Sequence, residues 1–234
     1  MPKSLKGWVF MRIDILSLFP EMFMPLKTSL IGKATDKKAL EINIIDIRDY
    51  TKDKHKKCDD YPFGGGVGML MTPQPIYDAL TSIPNYQQAL KIYMSPVGKT
   101  LNQQMVTSLS SKEHLIILCG HYEGVDQRII DMLIDQEISI GDYVLTGGEI
   151  PALTLVDAVS RYIPGVLGKS ESAQDESFAS GMLEYPQYTR PQNFMGHTVP
   201  EVLVSGNHEK IAKWKIEQSK KITKARRPDL LKTK

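Results

Sequence analysis

Three groups of residues in this 234-residue chain carry the potential for chemistry: carboxylates on loops, glycines clustered after apolar runs, and a basic end. Asp175 and Glu176 stand side by side in a small, polar stretch just ahead of Phe178. Glu123 lies inside GHYEG and Asp142 inside GDYVLTGG. A loop carboxylate is ordinarily just solvated, but one that closes over a bound base can accept a ring proton. The glycine groups are Gly64–Gly68 (GGGVG), Ser95–Gly98 (SPVG), Gly120–Gly124 (GHYEG) and Gly141–Gly148 (GDYVLTGG). Glycine lets the backbone approach a ligand closely and offers exposed N–H groups. One such loop merely turns the chain; several that follow strand-like runs point to a shared small-molecule site.

The cofactor class narrows by elimination. No GxxxxGK[ST] phosphate loop is present, and Met69 occupies the last glycine position of a GxGxxG pattern starting at Gly64. A nucleotide cofactor held without a phosphate cradle therefore fits better than ATP or NAD. His55 and Cys58 are three apart and Cys119 and His121 two apart, but nothing supplies a four-ligand set, so no metal site is assigned. There is no GxSxG nucleophile elbow. Cys58 and Cys119 form no CxxC pair, which fits a reducing compartment.

The elements that must position these loops alternate in type. Arg12–Leu18, Leu40–Ile47, Gln88–Met94 and His114–Cys119 have the apolar or alternating patterns of strands. Pro73–Leu80, Asn102–Leu109 (with Asn102 as N-cap), Val125–Ile134 and Glu149–Ile163 have the patterns of helices. Such alternation predicts an α/β domain with a largely parallel sheet, and the glycine loops fall at the carboxyl ends of its strands, where ligands bind. Residues 165–180 lose periodicity and mark a linker, so the chain divides near residue 170. Beyond it, Asn207–Lys224 is a basic amphipathic helix with Ile211, Trp214, Gln218 and Ile222 on one side, ending before Pro228.

Charge separates along the chain. Residues 207–234 hold ten lysines and arginines against three acidic residues, while residues 1–206 hold 19 against 24. A segregated basic end predicts a polyanionic partner, nucleic acid first among them. No run approaches the roughly 20 apolar residues of a bilayer span, and Arg12 and Asp14 interrupt the stretch that would make Met1–Phe10 a signal peptide. A cytoplasmic protein without membrane contact is expected.

Taken together and in order, the segments RIDILSLFPEMF, YPFGGGVGMLM, CGHYEGVDQRI, ISIGDYVLTGGEIPAL, RYIPGVLGKSESAQDESF, LEYPQYTRP, SGNHEKIAKWKIEQS and RRPDLL closely resemble the bacterial tRNA (guanine-37-N1)-methyltransferases. The resemblance runs from Met11 to about Leu231, and Met1–Phe10 precedes the family's usual start. It implies a SPOUT-type α/β fold with a deep trefoil knot in residues 1–164. A flexible linker (165–180) would carry the catalytic carboxylate, and a small, mostly helical, basic domain (181–234) would bind tRNA.

The resemblance also assigns residues. S-adenosylmethionine would contact Ser95, Pro96, Gly98, Gly120, Glu123, Ile140, Gly141, Asp142, Tyr143, Val144 and Leu145, with Gly147, Gly148 and Pro151 shaping the last loop. The family's base is an aspartate that matches Glu176, one methylene longer here, so that either Glu176 or the adjacent Asp175 holds the role. Arg161 matches an arginine that stabilises charge on the guanine O6. Ser172, Glu184 and Arg190 fall in segments that approach tRNA. Magnesium, and a homodimer whose active sites are shared between subunits, are implied as well. Two other functions compete: a methyltransferase for another RNA position, and an RNA-binding protein without chemistry. The linker and basic end argue against the first, and Arg161 with a carboxylate at 176 against the second. An oxidoreductase lacks any fingerprint.

Overall fold

Parallel strands covered on both faces are apolar at every position, because each side chain meets packing whichever way it points. The structure, a computed structural model, describes residues 11–167, 176–178 and 181–231. In chain order the first unit runs β1 (Met11–Ser17), α1 (Ser29–Asp36), β2 (Leu40–Asp46), β3 (Asp59–Asp60), β4 (Leu70–Met71), α2 (Pro73–Thr81) and β5 (Leu90–Thr100). It continues with α3 (Gln103–Ser110), β6 (His114–Cys119), α4 (Gln127–Leu133), β7 (Gln136–Ser139) and α5 (Glu149–Ser160). Five strands form a wholly parallel sheet in the order β2-β1-β6-β5-β7, so the expected α/β class and parallel sheet are correct.

β6 shows why the pattern reads as it does. Leu115 and Ile117 point to one face, into a core with Ile13, Ile15, Ile92, Leu155 and Val159. Ile116 and Leu118 point to the other, with Leu16, Ile76, Leu80 and Ile129. Each face buries a continuous apolar layer, the dominant favourable term in folding.

The element boundaries shift in instructive ways. The strand expected to end at Met94 continues to Thr100, so Ser95–Gly98 is a bulge within β5 rather than a loop after it. Met94 and Lys99 both face Ile138 of β7, and the residues between them swing out of register. Gly98 is what allows this: a Cβ there would run into the backbone of Glu137 and Ile138. α4 starts at Gln127 instead of Val125 because Asp126 caps it, accepting from the Arg128 N–H at 3.0 Å, while Val125 bridges to Met71. α5 stops at Ser160, three residues early, with Arg161 as its C-cap. Asn102 caps α3 as expected, accepting from the Met105 N–H at 2.9 Å. β7 and α1 were not expected at all.

The chain divides into the compact units Met1–Gly168 and Lys169–Lys234. Within the second lie a two-stranded ribbon of β8 (Asn193–Phe194) and β9 (His197–Thr198), then α6 (Glu201–Val204) and α7 (His208–Arg226). The ribbon turns at Met195 and Gly196, both with positive φ, as a two-residue hairpin requires. Asn207 caps α7 by accepting from the Lys210 N–H at 3.0 Å. Ile211, Trp214, Gln218 and Ile222 are half-buried, but the deepest positions of α7 are Ser219 and Thr223. Tyr185 and Tyr188 pack around Trp214, with ring centroids 6.5 and 6.4 Å away. Of the expected linker, Val166 is buried in the first core, and residues 168–175, 179 and 180 lie outside the described residues.

The bulge yields a test of the sheet. Gly98→Ala forces the β7 backbone aside and should cost about 1–3 kcal/mol, the range for overpacking a tight interior. Urea midpoints of the variant and wild type measure it; a loss below about 0.3 kcal/mol would show that β5 and β7 part freely at this point.

Candidate active site

The carboxyl ends of β5, β6 and β7 open into one cleft, where open α/β sheets bind ligands. Its floor is Tyr93 and Met94, the residues of β5 just before its bulge, and Ile138, next to the end of β7. Its walls are the β5 bulge (Ser95, Pro96), the loop after β6 (Gly120–Gly124) and the loop after β7 (Ser139–Gly141, Tyr143–Gly148), with Pro151 from α5. The two loops are joined backbone to backbone: the Gly148 N–H donates to the Gly120 carbonyl at 2.8 Å, and His121 bridges to Gly147. That approach depends on glycine. A Cβ on Gly148 would meet Cys119 Cα at 2.8 Å, and one on Gly120 would meet the Tyr93 ring hydroxyl at 2.7 Å.

A buried carboxylate ties the cleft to the far side of the sheet. Glu149, the first residue of α5, is 1% exposed and accepts from Ser17 Oγ at 2.8 Å; Ser17 Oγ in turn accepts from the Phe19 N–H. A carboxylate at a helix N-terminus also complements the helix dipole. The start of α5 is thereby fixed to the end of β1, and with it the loop that leads into the helix.

The electrostatics restrict the chemistry. Among the described residues no lysine or arginine lines the cleft, and Glu123 is its one carboxylate. Burial pushes the Tyr93 phenol up to about 12, with Glu137 adding to the shift, so this hydroxyl stays protonated at neutral pH. Burial, then Glu149, drives the Cys119 thiol well above its ordinary value, and burial raises Cys58. Both are therefore thiols rather than thiolates, without nucleophilic or metal-binding character. No group of three or more His, Cys, Asp or Glu among the described residues is placed to hold a metal ion. His121 Nδ1 is a buried polar atom without a hydrogen-bond partner, unusual in a native interior.

The structure brings twelve of the fourteen expected cofactor residues to this cleft: Ser95, Pro96, Gly120, Glu123, Ile140, Gly141, Tyr143, Val144, Leu145, Gly147, Gly148 and Pro151. Asp142 is exposed and does not line it, and Gly98 opens on a separate hollow with Val97, Lys99 and Met105. Arg161 is half-buried at the far end of α5. Glu176, Glu184 and Arg190 belong to the second unit, where Glu184 offers its carboxylate to the Gln187 amide and Arg190 is exposed. Ser172 and Asp175 lie outside the described residues. Sequence reading missed Tyr93, Met94, His121, Tyr122, Gly124, Ile138, Ser139 and Thr146. Strand-end residues read as plain core, yet the last residues of a parallel strand floor any cleft at its carboxyl end.

The fold and cleft define an α/β protein with a glycine-rich cleft that offers backbone polar groups and, among the described residues, no lysine or arginine to clamp a phosphate. Comparison with known proteins supplies the family. Residues 11–233 match the family model described as tRNA (Guanine-1)-methyltransferase TrmD. A tRNA (guanine-N(1)-)-methyltransferase of Ruminiclostridium cellulolyticum is 57% identical over 223 residues, covering 94% of this chain and 96% of the relative. Proteins of the same name from Alkaliphilus oremlandii and Clostridioides difficile are 56% and 55% identical, covering 95% of this chain and 92% and 98% of their own lengths. The chain belongs to this family and is a methyltransferase. No helix among the described residues is long and apolar enough to cross a membrane.

Tyr93 makes the packing of the cleft floor measurable. Its pKa rises from about 10 unfolded to about 12 folded, so the folded state holds the proton more tightly. The stabilisation is fully present below pH 10 and is lost as pH rises from 10 to 12. Between pH 9 and pH 11 the wild type should lose about 1.3 kcal/mol more stability than Tyr93→Phe, read from urea midpoints at each pH. Parallel losses would mean that the hydroxyl is solvated.

Proposed function

We propose that the protein transfers a methyl group from S-adenosylmethionine to N1 of guanosine 37, beside the anticodon of tRNA, as a cytoplasmic homodimer. The lining of the cleft carries this reading. It is rich in glycine and backbone polar groups, lacks basic residues among those described, and includes one carboxylate, Glu123, suited to a sulfonium cation. The Gly120, Gly147 and Gly148 backbones pack against Tyr93, Glu149 and Cys119 with no room for a Cβ, which holds the two loops close around the cleft, and His121 Nδ1 awaits a polar partner. The residues present therefore fit the cofactor. Relatives over half identical along nearly their whole lengths are named for methylating guanine N(1) of tRNA. The deep trefoil knot that the resemblance implies would lie where the loops after β6 and β7 meet.

When bound, S-adenosylmethionine would supply an electrophilic methyl group, its sulfur keeping the electron pair of the broken S–CH3 bond and leaving as a neutral thioether. The residues of the chain have to free the guanine nitrogen for it. Neutral guanine carries a proton on N1, which Glu176 accepts as general base, leaving the ring electrons to attack the methyl carbon. Negative charge spreads onto O6 as this proton leaves, and the Arg161 guanidinium donates hydrogen bonds there. Ser172, Glu184 and Arg190 would hold the RNA.

α5 favours a site shared between subunits. Its twelve residues span about 18 Å at 1.5 Å per residue, with the cleft at its first turn and Arg161 beyond its last. A guanidinium so placed reaches a cleft more readily across a dimer than within one chain. Magnesium is implied by the resemblance alone, and no group of three or more His, Cys, Asp or Glu among the described residues is placed to hold it.

The reading is tested by mass mapping of a tRNA transcript after incubation with enzyme and labelled cofactor, in wild type and Glu176→Gln. The label should fall on guanosine 37, and the variant should bind both substrates while single-turnover transfer drops ~10²-fold or more. Wild-type turnover in Glu176→Gln would move the base to Asp175 or elsewhere.

The basic end makes a second test. At 100° per residue, Lys213, Lys220 and Lys224 of α7 share the face opposite the half-buried one, and all three are exposed. Each phosphate contact releases counterions, so neutralising Lys220, Lys221 and Lys224 together should weaken tRNA binding and flatten its salt dependence. Equal affinities with parallel salt slopes would make the helix a solvated surface only.

A further inference from the structure

The short segment around Glu176 is not held by its own sequence neighbourhood alone. The Glu184 N–H donates to Ser177 Oγ at 2.9 Å, the Phe178 N–H to the Met182 carbonyl at 2.7 Å, and the Gly181 N–H to the Phe178 carbonyl at 3.1 Å. Leu183 then donates to Thr223 Oγ1 at 2.9 Å, and that hydroxyl, completely buried, donates to the Ser219 carbonyl within α7. Two residues past Glu176, Phe178 sits at φ +74°, a left-handed conformation that an L-residue with a side chain rarely adopts. Strain of this kind persists only where surrounding structure enforces it. The Arg227 guanidinium lies over the Phe178 ring, 5.8 Å from its centroid, and so packs against the residue that carries the strain.

Arg227 is itself fixed. It is the C-cap of α7, its N–H donating to the Thr223 carbonyl at 2.8 Å, and its guanidinium forks onto Asp229 at 2.9 and 2.7 Å. The side-chain hydrogen bond to Asp229 holds the guanidinium charged. A bidentate arginine presents its flat face in one orientation, which lysine cannot do. The ring beneath therefore has a rigid partner, although Phe178 is otherwise substantially exposed.

We infer that Phe178, Arg227 and Asp229 form a clamp that positions the Glu176 carboxylate for proton removal, and that Arg227 is a positioning residue rather than a phosphate contact. The inference rests on the proposed role of Glu176. It separates Arg227 from the exposed lysines of α7, whose charges face solvent without a ring to cover.

The full-length enzyme tests it. Arg227→Ala, Arg227→Lys, Phe178→Ala and the Arg227→Ala/Phe178→Ala double variant are compared at saturating tRNA and S-adenosylmethionine. Both alanine variants should lower the saturated single-turnover rate about tenfold, leave the tRNA Kd within twofold, and combine non-additively, because they break one contact. Arg227→Lys should recover only part of the rate, since the cation stays and the fork is lost. Hydrogen exchange at the Phe178 and Glu184 amides should speed up in Arg227→Ala while the amides of β6 stay protected, which separates loosening of the strap from misfolding. A weaker tRNA Kd with an unchanged saturated rate would make Arg227 a phosphate contact and overturn the clamp. A wild-type rate in Arg227→Ala beside a slow Glu176→Gln would overturn the clamp alone. A wild-type rate in Glu176→Gln would overturn the base assignment, and this positioning role with it.

Discussion

The hydrogen bond from Gly148 to the Gly120 carbonyl is the constraint on which the first unit turns. It brings the loop after β6 and the loop after β7 to backbone contact, and nothing bulkier than glycine fits, because Cys119 Cα lies directly beneath. Everything that defines the cleft follows from that approach. The Gly141–Gly148 loop is pinned at its far end, α5 must begin at Glu149, and Glu149 is drawn inside, where Ser17 supplies a hydrogen bond. A buried carboxylate without such a partner would cost several kcal/mol. The end of β1, the loop after β6 and the start of α5 thus depend on one another, and a small molecule in the cleft would touch parts that stand or fall together.

Much of this was legible before any coordinates. Apolar runs such as HLIILC mark strands covered on both faces, and the glycines of GHYEG and GDYVLTGG mark backbone that has to come close to something. What periodicity missed has physical reasons. β7 has four residues, too few for any period to show, and its place at the sheet edge is set by β5. The β5 bulge is invisible because SPVG has the composition of a turn, and only the pairing of Met94 and Lys99 with the same residue reveals that the strand resumes. Tyr93 and Ile138 read as core because they are core; their second role comes from standing beside the β5 bulge and the end of β7. Cys119 and His121 stand two apart in the sequence without the further ligands of a metal site. The structure keeps that thiol out of chemistry by burial, and leaves the imidazole as the atom short of a partner.

The basic end divides more finely than its charge count. Sequence alone treats its lysines and arginines as one polyanion-binding set. In the structure Lys215 lies 4.6 Å from the Tyr185 ring centroid, part of the aromatic cluster around Trp214. Arg227 is spent on Asp229 and Phe178. Cations over rings gain modestly from the ring quadrupole and surrender part of their hydration, so they are poorer partners for phosphate than free ammonium groups. The free positive charge of the second unit is therefore narrower than its charge count indicates, with Lys213, Lys220 and Lys224 on the solvent face of α7.

This division bears on the longer carboxylate at position 176. Glutamate carries one more rotatable bond than the aspartate that the resemblance implies, and ordering it costs more side-chain entropy, within the roughly 0–2 kcal/mol spanned by side chains. A base must also lie within hydrogen-bond reach of the proton it removes, so added freedom translates directly into fewer productive encounters. The compensation available to the chain is backbone. Fixing Ser177 and Phe178 against α7 removes freedom at the root of the side chain, where a given angular error displaces the carboxylate furthest. A residue that is longer at its tip and held more firmly at its base can sample the same reacting position as a shorter one on a looser strap. On that reading the strained φ of Phe178 is the counterpart of the extra methylene in Glu176, and each makes sense of the other.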